Sequence, residues 1–199
     1  MWNPVENKKN PEIKDTFFGK ITEDLRNLKL CTSTLHETEV GVWIAPKIPL
    51  KLRMWRLFPD WIPQNEKEMD KYLTYIKVPV YTVNWIKQKT LRIHKKLKNE
   101  AMAAFKELAN KKFLVKDDEV WSAYWRKKRD KDEQSIHSYG SAIDINSWAN
   151  GWIHRKTDKK SPYCITPQFA AVMKKHGFYR GWDRSAERED PMHFSYTDS

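Results

Sequence analysis

The clearest hydrophobic pattern in the chain is a helical stripe between residues 92 and 111. Apolar residues recur there every three or four positions, and lysines are frequent between them. That spacing places the apolar side chains on one face and predicts an amphipathic helix. The stripe consists of Ile93, Leu97, Ala101, Ala104, Phe105 and Leu108.

A second helix is predicted from Thr166 to Gly177, with signals at both ends. Thr166 suits the N-cap because its hydroxyl accepts a hydrogen bond from a free backbone N–H. Pro167 fits the first helical position, and Gly177 fits the stop. His176, in the last turn, gains from the helix dipole, which explains it better than metal binding does.

Several shorter segments follow patterns typical of strands. Residues 70–84 predict one at a sheet edge, because they contain a proline. Trp121–Trp125, Gly140–Ile145 and Phe194–Tyr196 predict strands of an antiparallel sheet. The alternation around Asp144 sends its two neighbouring isoleucines to the core and Asp144 to the opposite face. Helices packed on one face of such a small sheet make an α+β domain.

The N-terminal part has weaker patterns. Residues 1–40 are polar, with one helix predicted around Phe17–Leu30. Residues 41–63 hold four prolines and three tryptophans, which predicts short extended segments and turns. Burial suits those tryptophans better than a sugar-stacking platform does. We therefore interpret residues 1–80 as an N-terminal extension wrapped on a core domain of residues 81–199.

Composition adds a strong positive charge. The 199 residues carry a formal net charge of +11, which favours a polyanionic partner, either nucleic acid or an anionic bacterial wall polymer. No apolar run is long enough to span a bilayer, and the N-terminus lacks the apolar stretch of a signal peptide. Cys31 and Cys164 are most simply free thiols, although one disulfide between them stays open.

Two short segments carry the candidate chemistry. One contributes His137 and Asp144, and the other contributes Asp190 and His193. Two imidazoles and one carboxylate make a three-ligand catalytic zinc site with a fourth position open. Asp190 is a further carboxylate, placed to take a proton from water. Gly140, inside the first segment, allows a tight turn or a close backbone approach.

Each piece alone also has a plain structural explanation. A His followed seven residues later by an Asp can arise by chance, and a lone buried His is more often a core residue than a ligand. We interpret His94 in this way, as a surface or core residue. The two segments of the candidate site together are far more specific, and they favour a metal site.

The same residues carry a family resemblance. The pattern S-x-H-x-x-G-x-A-x-D followed by D-P-M-H-F resembles the D-alanyl-D-alanine metallopeptidase family, over about residues 91–194. That family holds vancomycin-resistance carboxypeptidases and dipeptidases and phage L-alanyl-D-glutamate endolysins. The resemblance implies one Zn²⁺ ion bound by His137, Asp144 and His193 on the sheet, with Asp190 as general base, where many members have Glu.

The resemblance also points to substrate-contacting residues. In related peptidases two arginines precede the zinc-binding histidine, and one of them faces the substrate carbonyl. Arg126 and Arg129 have this spacing, but the proline and glycine usual around such a pair are missing. We favour Arg126 for the oxyanion and Arg129 for substrate binding. Ser135 resembles a family serine that contacts substrate; its alternative is a simple turn residue.

The resemblance implies a zinc peptidase that cuts peptidoglycan stem peptides, at D-Ala-D-Ala or at L-Ala-D-Glu. The positive charge and the absence of a signal peptide suit a phage-type endolysin, made in the cytoplasm and acting at the wall after release. We expect a monomer whose partners are peptidoglycan and anionic wall polymers, and no nucleic acid. The alternative is a non-enzymatic, basic, tryptophan-rich module that binds nucleic acid or the wall.

Overall fold

The computed structural model of the protein describes residues 50–128, 131–151, 160–181 and 190–197, which all belong to one unit. The helix predicted around Phe17–Leu30 lies outside these residues, as does Cys31. Cys164 is a half-buried free thiol.

Four segments of the described chain form α-helices. The predicted start of the last one is confirmed, because the Thr166 hydroxyl accepts a hydrogen bond from the Phe169 N–H at 3.2 Å. Gly177 follows this helix with φ of 88°, a conformation that favours glycine. The helices are α1 (Leu50–Leu57), α2 (Glu66–Asp70), α3 (Lys98–Asn110) and α4 (Pro167–Lys175). One-turn 3₁₀ helices occupy Lys95–Leu97, Asp117–Glu119 and Ile136–Tyr139.

The described strands form two antiparallel sheets. The first is a hairpin of β1 (Leu73–Tyr81) and β2 (Ile86–His94), in register from Leu73 opposite His94 to Tyr81 opposite Ile86. The second consists of β3 (Val120–Trp121), β4 (Ala142–Ile145), β5 (Tyr179–Arg180) and β6 (His193–Ser195). Its strand order is β3-β4-β6-β5. Small antiparallel sheets with packed helices confirm the α+β class.

One apolar cluster connects both sheets to the long helices. Helix α3 packs on β1, and its stripe from Ala101 to Leu108 is buried as predicted. Ile143 and Ile145 are fully buried in the same cluster, whereas Asp144 between them lies on the other face of β4. The core therefore fixes the position of the strand that carries one of the candidate ligands.

The helix predicted from residue 92 begins later than expected. Leu91 and Ile93 are buried residues of β2, and α3 starts only at Lys98. Ile93 fits the helical stripe, but it also alternates with Leu91 as a strand residue does. Nine cross-strand pairs with β1 decide between the two patterns.

Two other expectations need correction. Residues 41–63 include a helix, α1, which fits into the proline-free window between Pro49 and Pro59. We expected Trp61 to be buried, but its side chain is exposed. The strand predicted from Trp121 to Trp125 is also shorter, since β3 ends at Trp121.

The described part of the N-terminal region is tied firmly to the rest of the chain. Strand β1 runs across the predicted boundary between residue 80 of the extension and residue 81 of the core domain. In α1 the buried guanidinium of Arg53 donates hydrogen bonds to the carbonyl oxygens of Gly177 and Tyr196, at 2.8 and 3.0 Å. Helix α1 thus binds the segment after α4 and the segment after β6.

Candidate metal centre

Strands β4 and β6 bring two of the candidate ligands together. Asp144 and His193 are direct partners in the antiparallel register, so their side chains project from the same face of the sheet. Asp144 Oδ1 lies 2.7 Å from His193 Nδ1.

The 3₁₀ helix Ile136–Tyr139 supplies the third. His137 Nε2 lies 3.2 Å from His193 Nδ1 and 3.2 Å from Asp144 Oδ1. Gly140 ends this turn with φ of 61°, and a Cβ there would lie 2.4 Å from Leu73 Cδ2 and 2.6 Å from the His94 nitrogen. Only glycine fits both the conformation and the space. The predicted role of Gly140 is therefore confirmed, because it lets the His137 turn pack against the hairpin.

The donor set fits a zinc ion. The three ligand atoms are separated by 2.7 to 3.2 Å, and two nitrogen donors on a tetrahedral zinc are roughly 3.3 Å apart. His137 Nδ1 donates a hydrogen bond to the Ser122 carbonyl oxygen at 3.0 Å, so its Nε2 lone pair is left for a metal. His137, Asp144 and His193 could thus hold a metal ion, as the motif predicts.

Asp144 is suited to be the anionic ligand. Burial alone would raise the pKa of its carboxyl. Hydrogen bonds and charge from His137 and His193 outweigh burial, and they hold that pKa well below its usual range. The side chain is therefore a carboxylate at neutral pH, which matches the charge of a divalent cation.

Asp190 lies beside the ligands in a different environment. Its backbone carbonyl accepts a hydrogen bond from the His193 N–H at 3.2 Å, across the turn that enters β6. Its Oδ1 is buried and has no hydrogen-bond partner among the described residues. Burial raises the pKa of this carboxyl, and a cation held next to it would lower the pKa again. A buried carboxyl oxygen without a partner is costly unless it serves a bound water or substrate.

The structure describes two of the three residues that were predicted to contact the substrate, Arg126 and Ser135. Arg126 has an exposed side chain. Burial raises the pKa of Asp190, and the positive charge of Arg126 is the weakest of the influences that oppose this rise. The role of Arg126 at the oxyanion stays a prediction. Ser135 is buried, and its hydroxyl accepts a hydrogen bond from the His137 N–H at 3.4 Å. This hydrogen bond is typical of a turn residue, which was the alternative to a substrate contact. Contact of Ser135 with substrate stays a prediction. Arg129 lies outside the described residues.

Two further histidines behave as the sequence suggests. His94 is buried against Phe58 and Tyr72, and burial lowers its pKa to about 4, so its ring is neutral at pH 7. His176 caps α4 and places its Nε2 2.8 Å from a carboxylate oxygen of Glu107. Neither is a member of the metal-binding group.

The sequence pattern missed three residues next to the ligands. Trp121 is the direct partner of Asp144 across β3 and β4, so its exposed indole stands on the ligand face. Arg180 Nε donates to the Pro191 carbonyl at 2.9 Å and so supports the turn between Asp190 and His193. A Cβ on Gly181 would lie 3.0 Å from the Asp190 carbonyl oxygen. Proximity to these residues arises only on folding, so no local signal marks them.

Comparison with known families agrees with this geometry. Residues 128–196 match the family model described as D-alanyl-D-alanine carboxypeptidase, and this segment contains His137, Asp144, Asp190 and His193. The resemblance to the D-alanyl-D-alanine metallopeptidases is confirmed. The match covers less than half of the chain and supports a metallopeptidase. Arg126 lies just before the matched residues. No curated protein and no solved structure matches the chain. Among the described helices, none has the length and apolar character needed to cross a bilayer.

Proposed function

We propose that this protein is a zinc-dependent peptidase that hydrolyses peptidoglycan stem peptides, in the manner of a phage endolysin. The main support is the convergence of His137, Asp144 and His193 beside a carboxyl oxygen of Asp190 that has no partner among the described residues. An acceptor in that position is what hydrolysis of an amide requires. The family match supports the same class of reaction.

Each residue of the site then has a defined task. When bound, zinc supplies Lewis-acid activation of water and of the scissile carbonyl. Asp190 accepts the proton of the attacking water and delivers it to the leaving amine. Arg126 provides positive charge opposite the oxyanion that develops on the carbonyl. The Ser122 carbonyl keeps His137 in the tautomer whose Nε2 is a ligand.

A single experiment can identify the bond that is cut. Peptidoglycan is digested with the zinc-loaded protein, and the products are identified by mass spectrometry. Loss of a terminal alanine indicates D-Ala-D-Ala carboxypeptidase activity, and a new N-terminal glutamate indicates L-Ala-D-Glu endopeptidase activity. Intact stem peptides after digestion by a protein that holds one zinc would contradict the proposal.

A non-enzymatic basic binding module is the second candidate. The net charge of +11 and several exposed aromatic side chains, such as Trp85 and Trp148, favour it. Metal analysis of the purified protein separates the two, since a module without a metal centre should contain no stoichiometric zinc.

A further inference from the structure

A cavity of about 170 Å³ lies at the tip of the β1–β2 hairpin, and none of the three described metal ligands lines it. One wall is the turn that joins the strands, including Thr82, Asn84 and Trp85. A second wall includes Lys116, Asp117 and Tyr163. With Lys87 from the hairpin, the lining combines aromatic rings with hydroxyl, amide, carboxylate and ammonium groups.

Backbone hydrogen bonds hold both walls in place. The turn is closed by the N–H and the hydroxyl of Thr82, which donate to the Trp85 carbonyl at 2.9 and 2.8 Å. The Val115 N–H donates to the Tyr81 carbonyl at 2.8 Å, which fixes the second wall against the hairpin. Such a cavity is largely formed before any ligand arrives.

Asn146 links two residues of the second wall by hydrogen bonds. Its side-chain oxygen accepts a hydrogen bond from the Lys116 N–H at 2.9 Å, and its side-chain amide donates to the Tyr163 carbonyl at 3.0 Å. Its own backbone has φ of 53°, which is unusual for a residue other than glycine. This buried asparagine therefore joins two lining residues that are distant in sequence.

The hairpin tip exposes apolar side chains beside this cavity. Val83, Trp85 and Ile86 are 61%, 57% and 54% exposed. Their apolar surface stays in contact with water, which is unfavourable unless a ligand or partner covers it. Lys87 Nζ lies 6.0 Å from the centre of the Trp85 ring and 3.0 Å from Asp117 Oδ2. The Trp85 indole is thus part of the apolar tip and lies near the ion pair of Lys87 and Asp117.

We propose that this cavity is a second, non-catalytic site that binds one pyranose ring of a glycan. A pyranose has an apolar C–H face that stacks on an indole such as Trp85, and hydroxyl groups that hydrogen-bond around its edge. Asn84, Asp117 and Lys87 offer donors and acceptors for those hydroxyls. The cavity is smaller than the roughly 300 Å³ at which sites for drug-sized ligands begin, so it suits a single ring.

The lining favours a sugar over the other ligands that a basic protein attracts. Lys87 and Lys116 line the cavity together with Asp117. Asp117 Oδ2 accepts a hydrogen bond from Lys87 at 3.0 Å, so the carboxylate offsets part of the positive charge that would attract a phosphate group. A membrane contact would use only the apolar side chains of the tip and would leave the hydrogen-bonding groups of the cavity unused, whereas a sugar uses both. The assignment of the sugar to a glycan strand of the cell wall rests on the proposed function. The inference that the cavity binds a sugar rests only on the lining residues.

The test is binding of the zinc-loaded, full-length protein to glycan strands from which the stem peptides have been removed. This probe offers no peptide to the metal centre, so the result does not depend on cleavage. Trp85→Ala should bind at least about tenfold more weakly, as expected when an aromatic residue at the centre of a binding site is truncated. Trp85→Tyr, which keeps an aromatic face, should retain most of the binding.

Trp61→Ala is the matched control, because Trp61 is 59% exposed and does not line the cavity. It should bind the strands as the parent does, and both variants should keep the parent's melting temperature. Unchanged binding by Trp85→Ala, or equal losses in both variants, would overturn the proposal. The same holds if Trp85→Ala loses binding to phosphatidylglycerol vesicles but keeps binding to the glycan, since the tip would then be a membrane contact.

Discussion

At the residue scale, the ligand assignment is open to direct test at His137. His137→Ala removes one of three donors that lie within 3.2 Å of one another. The two remaining donors should not retain zinc in a 1:1 ratio through dialysis, which metal analysis can measure. Circular dichroism should show that the fold persists. If the variant holds zinc as tightly as the parent, His137 is not a ligand.

Asp190 should separate catalysis from metal binding. Asp190→Asn keeps the size of the side chain but removes its capacity to accept a proton. Zinc content should stay at one ion, and hydrolysis of a stem peptide should fall by about 10² or more, the scale of lost acid–base assistance. Loss of zinc together with activity would make Asp190 a ligand instead of a base.

Arg126 is the third residue whose role can be measured. Its positive charge is one of the weaker influences that oppose the rise of the Asp190 pKa by burial, which is consistent with a position near the site. Arg126→Ala should raise the activation barrier by about 3 kcal/mol, with zinc content unchanged. Arg129→Ala is the comparison. Equal or greater damage from that change alone would reverse the assignment of the two arginines.

At the scale of elements, some local patterns were sufficient for prediction and others were not. The alternation around Asp144 predicted β4 and its two faces, because period-2 burial has one simple explanation there. Ile93 fitted two periods at once, and only pairing with β1 made it a strand residue. Helix α1 was not predicted, because the number of prolines in 41–63 argues against a helix, although none lies between Pro49 and Pro59.

The support for the ligands could not be read from the sequence. The partner of His137 Nδ1 is a backbone carbonyl at Ser122, and every residue has such a group. Trp121 becomes a neighbour of Asp144 only through the register of β3 and β4. Residue types therefore predicted which side chains could hold a metal, whereas long-range pairing determines which groups orient them.

The contact between α3 and α4 carries a pH-dependent contribution to stability. Burial would raise the pKa of Glu107, but hydrogen bonds from Lys175 and His176 prevail and lower it. The stabilisation is therefore present above the unfolded-state pKa of about 4.3 and is lost as pH falls through the lower folded-state pKa. Glu107→Gln should cost about 1 kcal/mol at pH 7 and less in acid.

Thermal unfolding from pH 7 to pH 3 measures this difference. Glu66→Gln is the matched control, because Glu66 is more exposed and its nearest cation, on Arg92, is 3.7 Å away. That variant should follow the parent at every pH. A constant gap between Glu107→Gln and the parent across the range would mean that charge on Glu107 does not contribute.

At the scale of the whole molecule, the positive charge is unevenly distributed along the chain. No Asp or Glu lies between Asp70 and Glu100, and that stretch holds eight Lys and Arg residues. It includes both strands of the hairpin whose tip carries the cavity. The candidate ligands come instead from β4, β6 and the turn at His137. If the basic stretch attaches the protein to a polyanion, as proposed, attachment and cleavage draw on different elements.

This separation predicts different responses to salt. Exposed charges act over about one Debye length, which shrinks from roughly 10 Å at 0.1 M salt to 3 Å at 1 M. Added salt should therefore weaken lysis of whole cell walls well before it weakens cleavage of a short soluble stem peptide. Both rates are measured across one salt series with the same protein preparation. Parallel decline of the two rates would mean that the charge acts at the metal centre or on the fold, and does not tether the protein to the wall.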